Sequence, residues 1–476
     1  MELTQKKKRK YEIDMCNGNL FKKIIIFCIP LMLMGILQLL YNTADLIIVS
    51  NFSDDPSALG AVGSTSSIIN LIVNLFMGLS VGSNVICARY FGSKNEKSMS
   101  DAVHTAISIS LILGIFLGII GFFIAGPVLH LMNNDDELSE LYLKIYFIGM
   151  PFNLLYNFAA SILRAVGDTK RPLYYLTISG IANVLLNILF VVGFGMSVDG
   201  VALGTIISQV ISAILIMRTL IKTKECYGVR INKLKIHWNE LKEIAKVGLP
   251  AGIQSSIFSI SNVLIQSSVN NFDKVASIAA GSNVSTVKNG NSAATSVEGF
   301  VYAAMNSVYH AALAFTSQNV GAKKTKNIKK VMIYSLIHVV LIAGTLGIIL
   351  YSFGKEALSI YTSNPDEINV GLIRLNYLCL PYFLCGIMDV MVGIIRGLGY
   401  GISPMIVSIV GVCGFRIFWI LLIFQNNTSF TDYNDLHLLY ISYPISWIIT
   451  FTVHLITYFV LSKKKFKELN NKLILN

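Results

Sequence analysis

The sequence predicts an all-α, polytopic membrane protein with twelve transmembrane helices in two pseudo-symmetric six-helix bundles. Three observations predict it: about twelve apolar segments of bilayer-crossing length, loops that alternate between basic and acidic, and short motifs that recur some 220–232 residues later.

The apolar segments lie at roughly 24–49, 58–87, 103–126, 141–163, 172–195, 200–221, 247–270, 291–317, 331–353, 371–395, 404–424 and 438–461. At ~1.5 Å per residue, segments of this length cross a hydrocarbon core of ~30 Å. The 476 residues are 54% hydrophobic and 13% charged, against ~25% charged in soluble domains, which excludes a water-soluble globule. The first segment follows a basic run at 6–10 and superficially resembles a secretory leader. It is too long for one and has no convincing small-residue cleavage site, so it reads as a membrane helix. The seven cysteines form no CxxC pair and the histidines no HExxH, so nothing points to a disulfide framework, zinc or metal catalysis.

The loops set the orientation. One alternating set, with the two termini, holds 32 of the 38 Lys and Arg residues; the other is acidic or neutral and includes Asp54, Asp55, Asp136, Asp199, Asp366 and Asp432. The positive-inside rule places the basic loops and both termini in the cytoplasm, which requires an even number of spans. The net charge of +12 therefore reports topology and excludes a nucleic-acid partner. The longest polar connection on the basic side divides the chain. The expected organisation is a basic tail at 1–19, a six-helix lobe at 20–222, a linker at 223–245, a second six-helix lobe at 246–461 and a basic tail at 462–476. The stretch 271–290 reads as a flexible polar loop on the outer side.

The halves repeat each other. Lys246-Val-Gly-Leu-Pro250 enters the seventh span as Ile26-Phe-Cys-Ile-Pro30 enters the first. Arg89-Tyr-Phe-Gly92 answers Gln318-Asn-Val-Gly321, and Met150-Pro151-Phe152 answers Leu380-Pro381-Tyr382. Leu163-Arg-Ala-Val-Gly167 before Pro172 answers Ile395-Arg-Gly-Leu-Gly399 before Pro404. Six spans per half keep both halves in one orientation, related by an axis along the membrane normal, an arrangement of transporters.

Asp45 is the informative residue. A carboxylate at mid-helix costs ~2.5–3.5 kcal/mol on insertion scales, and Gln38, Tyr41 and Asn42 share its stripe on the first span. The fifth span carries Ser179, Asn183 and Asn187 on one face; the sixth carries Thr205, Ser208 and Gln209. Together they offer one carboxylate and several neutral oxygens to a proton or a small hard cation such as sodium. Helix-to-helix packing is the alternative for each of these amides and hydroxyls. The second half differs: Glu298, Asp389 and Arg416 lie inside spans, as cleft candidates or as an internal ion pair, and no acid occupies the repeat of Asp45. The sequence holds no Walker motif and no Asp-rich diphosphate motif, which excludes ATP hydrolysis and prenyl transfer.

The motifs of the repeat, with Pro30 and Asn42-Thr-Ala-Asp45, resemble those of the multidrug and toxic compound extrusion (MATE) transporters, closer to the DinF-like bacterial type, from about residue 20 to 461. The resemblance implies two bundles in a V around a central cleft, with export driven by inward sodium or proton flow. It places Asp45 on the first-helix carboxylate of an N-terminal cation site and Asn183 and Thr205 on its neutral members. Asn187 stands where many relatives have a second Asp, which leaves the ion and its stoichiometry open. Tyr41, Gln38, Gln209, Glu298, Asp389 and Arg416 are the substrate and cleft candidates. The expectation is a non-enzymatic antiporter of the cell membrane, monomeric, exporting amphipathic, cationic organic compounds with no cofactor beyond the coupling ion. A lipid-linked precursor flippase of the same superfamily is the alternative, and a membrane-embedded enzyme a more distant one.

Overall fold

A computed structural model describes residues 11–52, 58–131, 136–279, 285–428, 430 and 432–474. Twelve helical units follow in order: α1 (Leu20–Phe52), α2 (Ala58–Ser93), α3 (Glu96–Leu131), α4 (Glu137–Ile148 and Met150–Ala165), α5 (Lys170–Gly193) and α6 (Val198–Lys222). The second half contains α7 (Trp238–Ala279), α8 (Thr286–Gly321), α9 (Thr325–Ser352), α10 (Pro365–Leu378 and Tyr382–Gly397), α11 (Ile402–Asn427) and α12 (Ser442–Ile474). Among the described residues nine helices are long and apolar enough to cross a membrane, and the two bent pairs bring the number to eleven. The remaining unit, α8, is 36 residues long but rich in Ala, Ser and Asn. It can be that polar because its second half is almost wholly enclosed by neighbouring helices.

The repeated motifs are the corners of the fold. Met150-Pro151 and Leu380-Pro381 sit at the breaks of α4 and α10, bent by 48° and 53°. Proline lacks an N–H and crowds the preceding turn, so a helix yields there. Gly167 and Gly399 adopt φ of +95° and +100° two residues past the ends of those helices. In each case the glycine N–H and the next N–H bond back to the last helical carbonyls: Gly167 to Arg164 and Asp168 to Leu163, Gly399 to Arg396 and Tyr400 to Ile395.

The halves meet through glycine. Gly78 and Gly82 on α2 cross Gly248 and Gly252 on α7; a Cβ at Gly78 would lie 2.0 Å from the Gly252 nitrogen, and one at Gly252 2.0 Å from the Leu75 carbonyl. Small residues four apart let helix backbones touch, and dispersion then holds them. Ten residues further along α2, towards the basic end, the relation repeats with α8. A Cβ at Gly92 would lie 2.1 Å from the Gln318 carbonyl, and one at Gly321 1.9 Å from the Arg89 carbonyl. The first half of α1 joins this junction: Ile24, Phe27 and Leu31 share a core with Val308, Phe315 and Ile394.

Two expectations are corrected. The stretch 271–290 is mostly helical: α7 runs through Ala279 and α8 begins at Thr286, with residues 280–284 outside the described set. Asp273 caps the second helix by accepting from the Val287 and Lys288 N–H groups at 2.8 and 3.1 Å, so its charge meets the exposed donors of a helix start. Arg164 and Arg396, two of the 32 Lys and Arg residues that the sequence assigns to the basic loops and termini, lie in the last turns of α4 and α10. Arg396 is buried and donates to Tyr309 Oη and Gln254 Oε1 at 2.7 and 2.9 Å.

Candidate functional site

The polar stripe of α1 faces inward, onto a cavity of about 660 Å³. Gln38, Tyr41, Asn42 and Asp45 line one side; Ser179 and Asn183 of α5 and Thr205, Ser208 and Gln209 of α6 line another. Two glycines let the helices close on these side chains. A Cβ at Gly180 would strike the Tyr41 ring at 1.9 Å, and one at Gly204 would meet Asn187 Oδ1 at 2.0 Å. Asn187 is thus pressed between α5 and α6 and fully buried. Its amide nitrogen donates to Asp45 Oδ1 at 2.6 Å, while its own Oδ1 has no hydrogen-bond partner. Asn183 Nδ2 reaches Thr205 Oγ1 at 3.4 Å, a weak contact.

Asp45 is the one acid among the described residues lining this cavity. The neutral side chains of Asn183 and Thr205 line the same cavity, and Asn187 backs Asp45 through its amide N–H. A carboxylate with nearby amide and hydroxyl oxygens can take up a proton or coordinate a small hard cation. Directly after Asn187, α5 relaxes into a π-helical turn, Leu189–Gly193, a feature that recurs at functional positions in helices. Arg164 and His310 also line the cavity, and neither was singled out from the sequence. The signal for Arg164 was present in the repeated motif, but its position next to a basic loop hid it.

The other three cleft candidates are elsewhere. Glu298, Asp389 and Arg416 line a second cavity, about 360 Å³, in the second half. Glu298 does not pair with Arg416. It accepts a two-pronged contact from Arg374, whose Nε and Nη2 lie 2.8 Å from its two oxygens, while Arg374 Nη1 donates to Asn291 Oδ1 at 2.8 Å. The parallel N–H pairs of a guanidinium match a carboxylate, so this buried pair neutralises itself. Gly299 and Tyr302 of α8 border both cavities.

Comparison with known proteins agrees with this architecture. The MatE family model matches residues 30–190 and 250–422, once in each half. The chain is 27% identical over 412 residues to the probable multidrug resistance protein YpnP of Bacillus subtilis, covering 86% of this chain and 88% of that one. It is 24% identical over 404 residues to the probable multidrug resistance protein NorM of Thermotoga maritima, covering 83% and 84%. A MOP superfamily transporter from Pyrococcus furiosus superposes with a TM-score of 0.85 at 21% identity, over 96% of this chain and 99% of that one. With a family match spanning most of both halves, the chain belongs to the MatE family of multidrug and toxic compound extrusion proteins, and is a membrane transporter, not an enzyme.

Proposed function

We propose that this chain exports amphipathic, cationic organic compounds in exchange for protons or sodium ions, with Asp45 as the residue that takes up the ion. The observation that carries the reading is the placement of Asp45: a lone carboxylate on the wall of a 660 Å³ cavity, held by Asn187, with amide and hydroxyl side chains lining the same cavity. One negative side chain can hold either an ion or a cationic substrate, and competition for it couples the two fluxes. Each charge moving inward across 100 mV supplies ~2.3 kcal/mol. An ion drives a conformational change only if it binds one shape better than the other. Asp45 bridges α1 to α5, so neutralising it alters the packing of a helix whose first half belongs to the junction between the halves.

The distribution of Lys and Arg supports a plasma-membrane orientation with both termini cytoplasmic. The glycine crossings towards the basic end support a state closed on that side.

The test is transport of a fluorescent organic cation in proteoliposomes, with sodium and pH gradients imposed separately. One of the two gradients drives transport in the wild type, and Asp45→Asn at equal incorporation reduces the driven component to background. Transport that neither gradient stimulates, or an Asp45→Asn protein as active as wild type, overturns the proposal.

A further inference from the structure

The second cavity holds two charged groups that have no hydrogen-bonded or ion-paired counter-charge among the described residues. Arg416 is 6% exposed. Its Nε donates to Ser446 Oγ at 3.1 Å, and the guanidinium carbon sits 3.9 Å from the centre of the Tyr443 ring. Among the described residues no acid pairs with it. Asp389, on α10, makes no hydrogen bond or ion pair among the described residues and lines the same space; the one cation that acts on it, from a distance, is Arg396, whose own N–H groups go to Tyr309 and Gln254. The neighbouring Glu298 and Arg374 already satisfy each other, so they do not supply the missing partners.

Burying a charge without a partner is costly in any membrane protein, and such residues persist where something else binds them. The setting of Arg416 narrows what that is. With its carbon over the Tyr443 ring and its Nε spent on Ser446, the guanidinium keeps its two terminal nitrogens for an anion. The remaining wall is aromatic: Tyr382 meets Trp447 edge-on at 5.4 Å, and Tyr443 meets Trp447 at 5.9 Å. Such rings receive a flat apolar body. Arg416 also lies between two π-helical turns of α11, Ile409–Gly414 and Ile420–Phe424. The offset from Pro172 to Pro404 sets it opposite Val184, one residue past Asn183 of the first cavity. The corresponding helices of the two halves are thus both distorted beside their cavities, and the second half presents a cation where the first presents neutral amides.

We propose that this cavity is a second ligand site, selective for small aromatic zwitterions: the acid group on Arg416, the amine on Asp389, the ring against Tyr382 and Trp447. At 360 Å³ it is of the size of small-molecule pockets. A zwitterion gives each of the two charges a direct partner, whereas a simple amine leaves Arg416 bare and a simple acid leaves Asp389 bare. The site is separate from the ion chemistry assigned to Asp45 and stands or falls without it.

The test is calorimetric binding to the full chain in nanodiscs, with no gradient. The probes are phenylalanine and 4-(aminomethyl)benzoic acid, which hold their charges at short and long separation, with 4-methylbenzylamine and 4-methylbenzoic acid as single-charge controls. A charge-assisted hydrogen bond is worth ~1.5–3 kcal/mol, so one zwitterion binds about 10-fold or more tighter than both controls. Arg416→Gln removes its advantage over the amine, Asp389→Asn removes its advantage over the acid, and Asp45→Asn changes neither. Should Arg416→Gln lower the melting temperature, Arg416→Lys decides: it keeps the charge, loses the fork and weakens the zwitterion about 10-fold. Equal affinity for zwitterions and amine in the wild type, or an unchanged zwitterion affinity in Arg416→Lys, overturns the proposal.

Discussion

The amide of Asn187 donates to Asp45 across 2.6 Å, while the other end of the same amide, fully buried, has no partner. An unpaired buried carbonyl costs ~1–3 kcal/mol, a cost that the cation proposed for this site would offset. Two substitutions probe the relation. Gly204→Ala places a methyl group where Asn187 Oδ1 now lies, 2.0 Å from it, and displaces the amide. Ion-driven transport falls about 10-fold or more, the effect of losing one ~1.4 kcal/mol contact or several, with gradient-independent substrate binding retained. Asn187→Asp adds a second carboxylate to the site and increases the ions moved per substrate, read from the reversal potential of transport in proteoliposomes.

The α2–α7 crossing tolerates nothing larger than glycine at its centre. Gly252→Ala drives a methyl group into the Leu75 carbonyl, 2.0 Å away, and the two helices separate. Overpacking of this kind costs ~1–3 kcal/mol, visible as a lower melting temperature in detergent. Gly344→Ala, where a methyl group meets nothing within 4 Å, is the matched control and leaves the melting temperature in place.

Glu298 and Arg374 form the buried pair of the second half. Glu298→Gln leaves a guanidinium without its counter-charge and destabilises the protein by ~3–5 kcal/mol. Replacing both, as Glu298→Gln with Arg374→Met, removes the stranded charge and recovers most of that loss. Equal melting temperatures for the single and double variants would show that the pair does not act as a unit.

The chain ahead of α1 is strapped across the basic end. Asn319 Nδ2 donates to the Met15 carbonyl at 2.9 Å, and Lys324 Nζ and Asn327 Nδ2 donate to the Cys16 carbonyl at 3.0 and 2.9 Å. On the other side the Ile13 N–H bonds to the Gly167 carbonyl. The strap therefore ties α8 and α9 to the turn after α4. Burial, aided by the Asp14 charge, pushes the Cys16 thiol up to about 11, against an ordinary value of 9.0. With the folded value raised, the part of the strap's stability that depends on a neutral Cys16 thiol is complete below pH 9.0 and is lost as pH rises through about 11, while the carbonyl hydrogen bonds do not titrate. In a variant whose other six cysteines are replaced, alkylation of Cys16 rises with a midpoint near pH 11. Asn319→Ala loosens the strap and moves that midpoint down towards 9.0. An unshifted profile would show that the strap does not depend on this contact.

The sequence by itself determined the helices, their duplication and the polar stripe of Asp45, because each is written at short range. Hydropathy over some twenty residues marks a span, and the i, i+4 spacing of Asn183 and Asn187 marks a face. The motif pairs were legible as repeats, and the structure supplies their reason: they are bends and helix ends, where Pro and Gly have conformational roles no other residue fills. Local pattern did not extend to partnership. Arg374 and Glu298 are 76 residues apart in sequence, and nothing near either residue names the other. Only the packing of α10 against α8 made them a pair, and it left Arg416 and Asp389 without a bonded counter-charge among the described residues. The tertiary structure likewise placed Asp45 and Arg416 in different cavities. A charge in a membrane protein is defined by what neutralises it, and that is decided by helices brought together from distant parts of the chain.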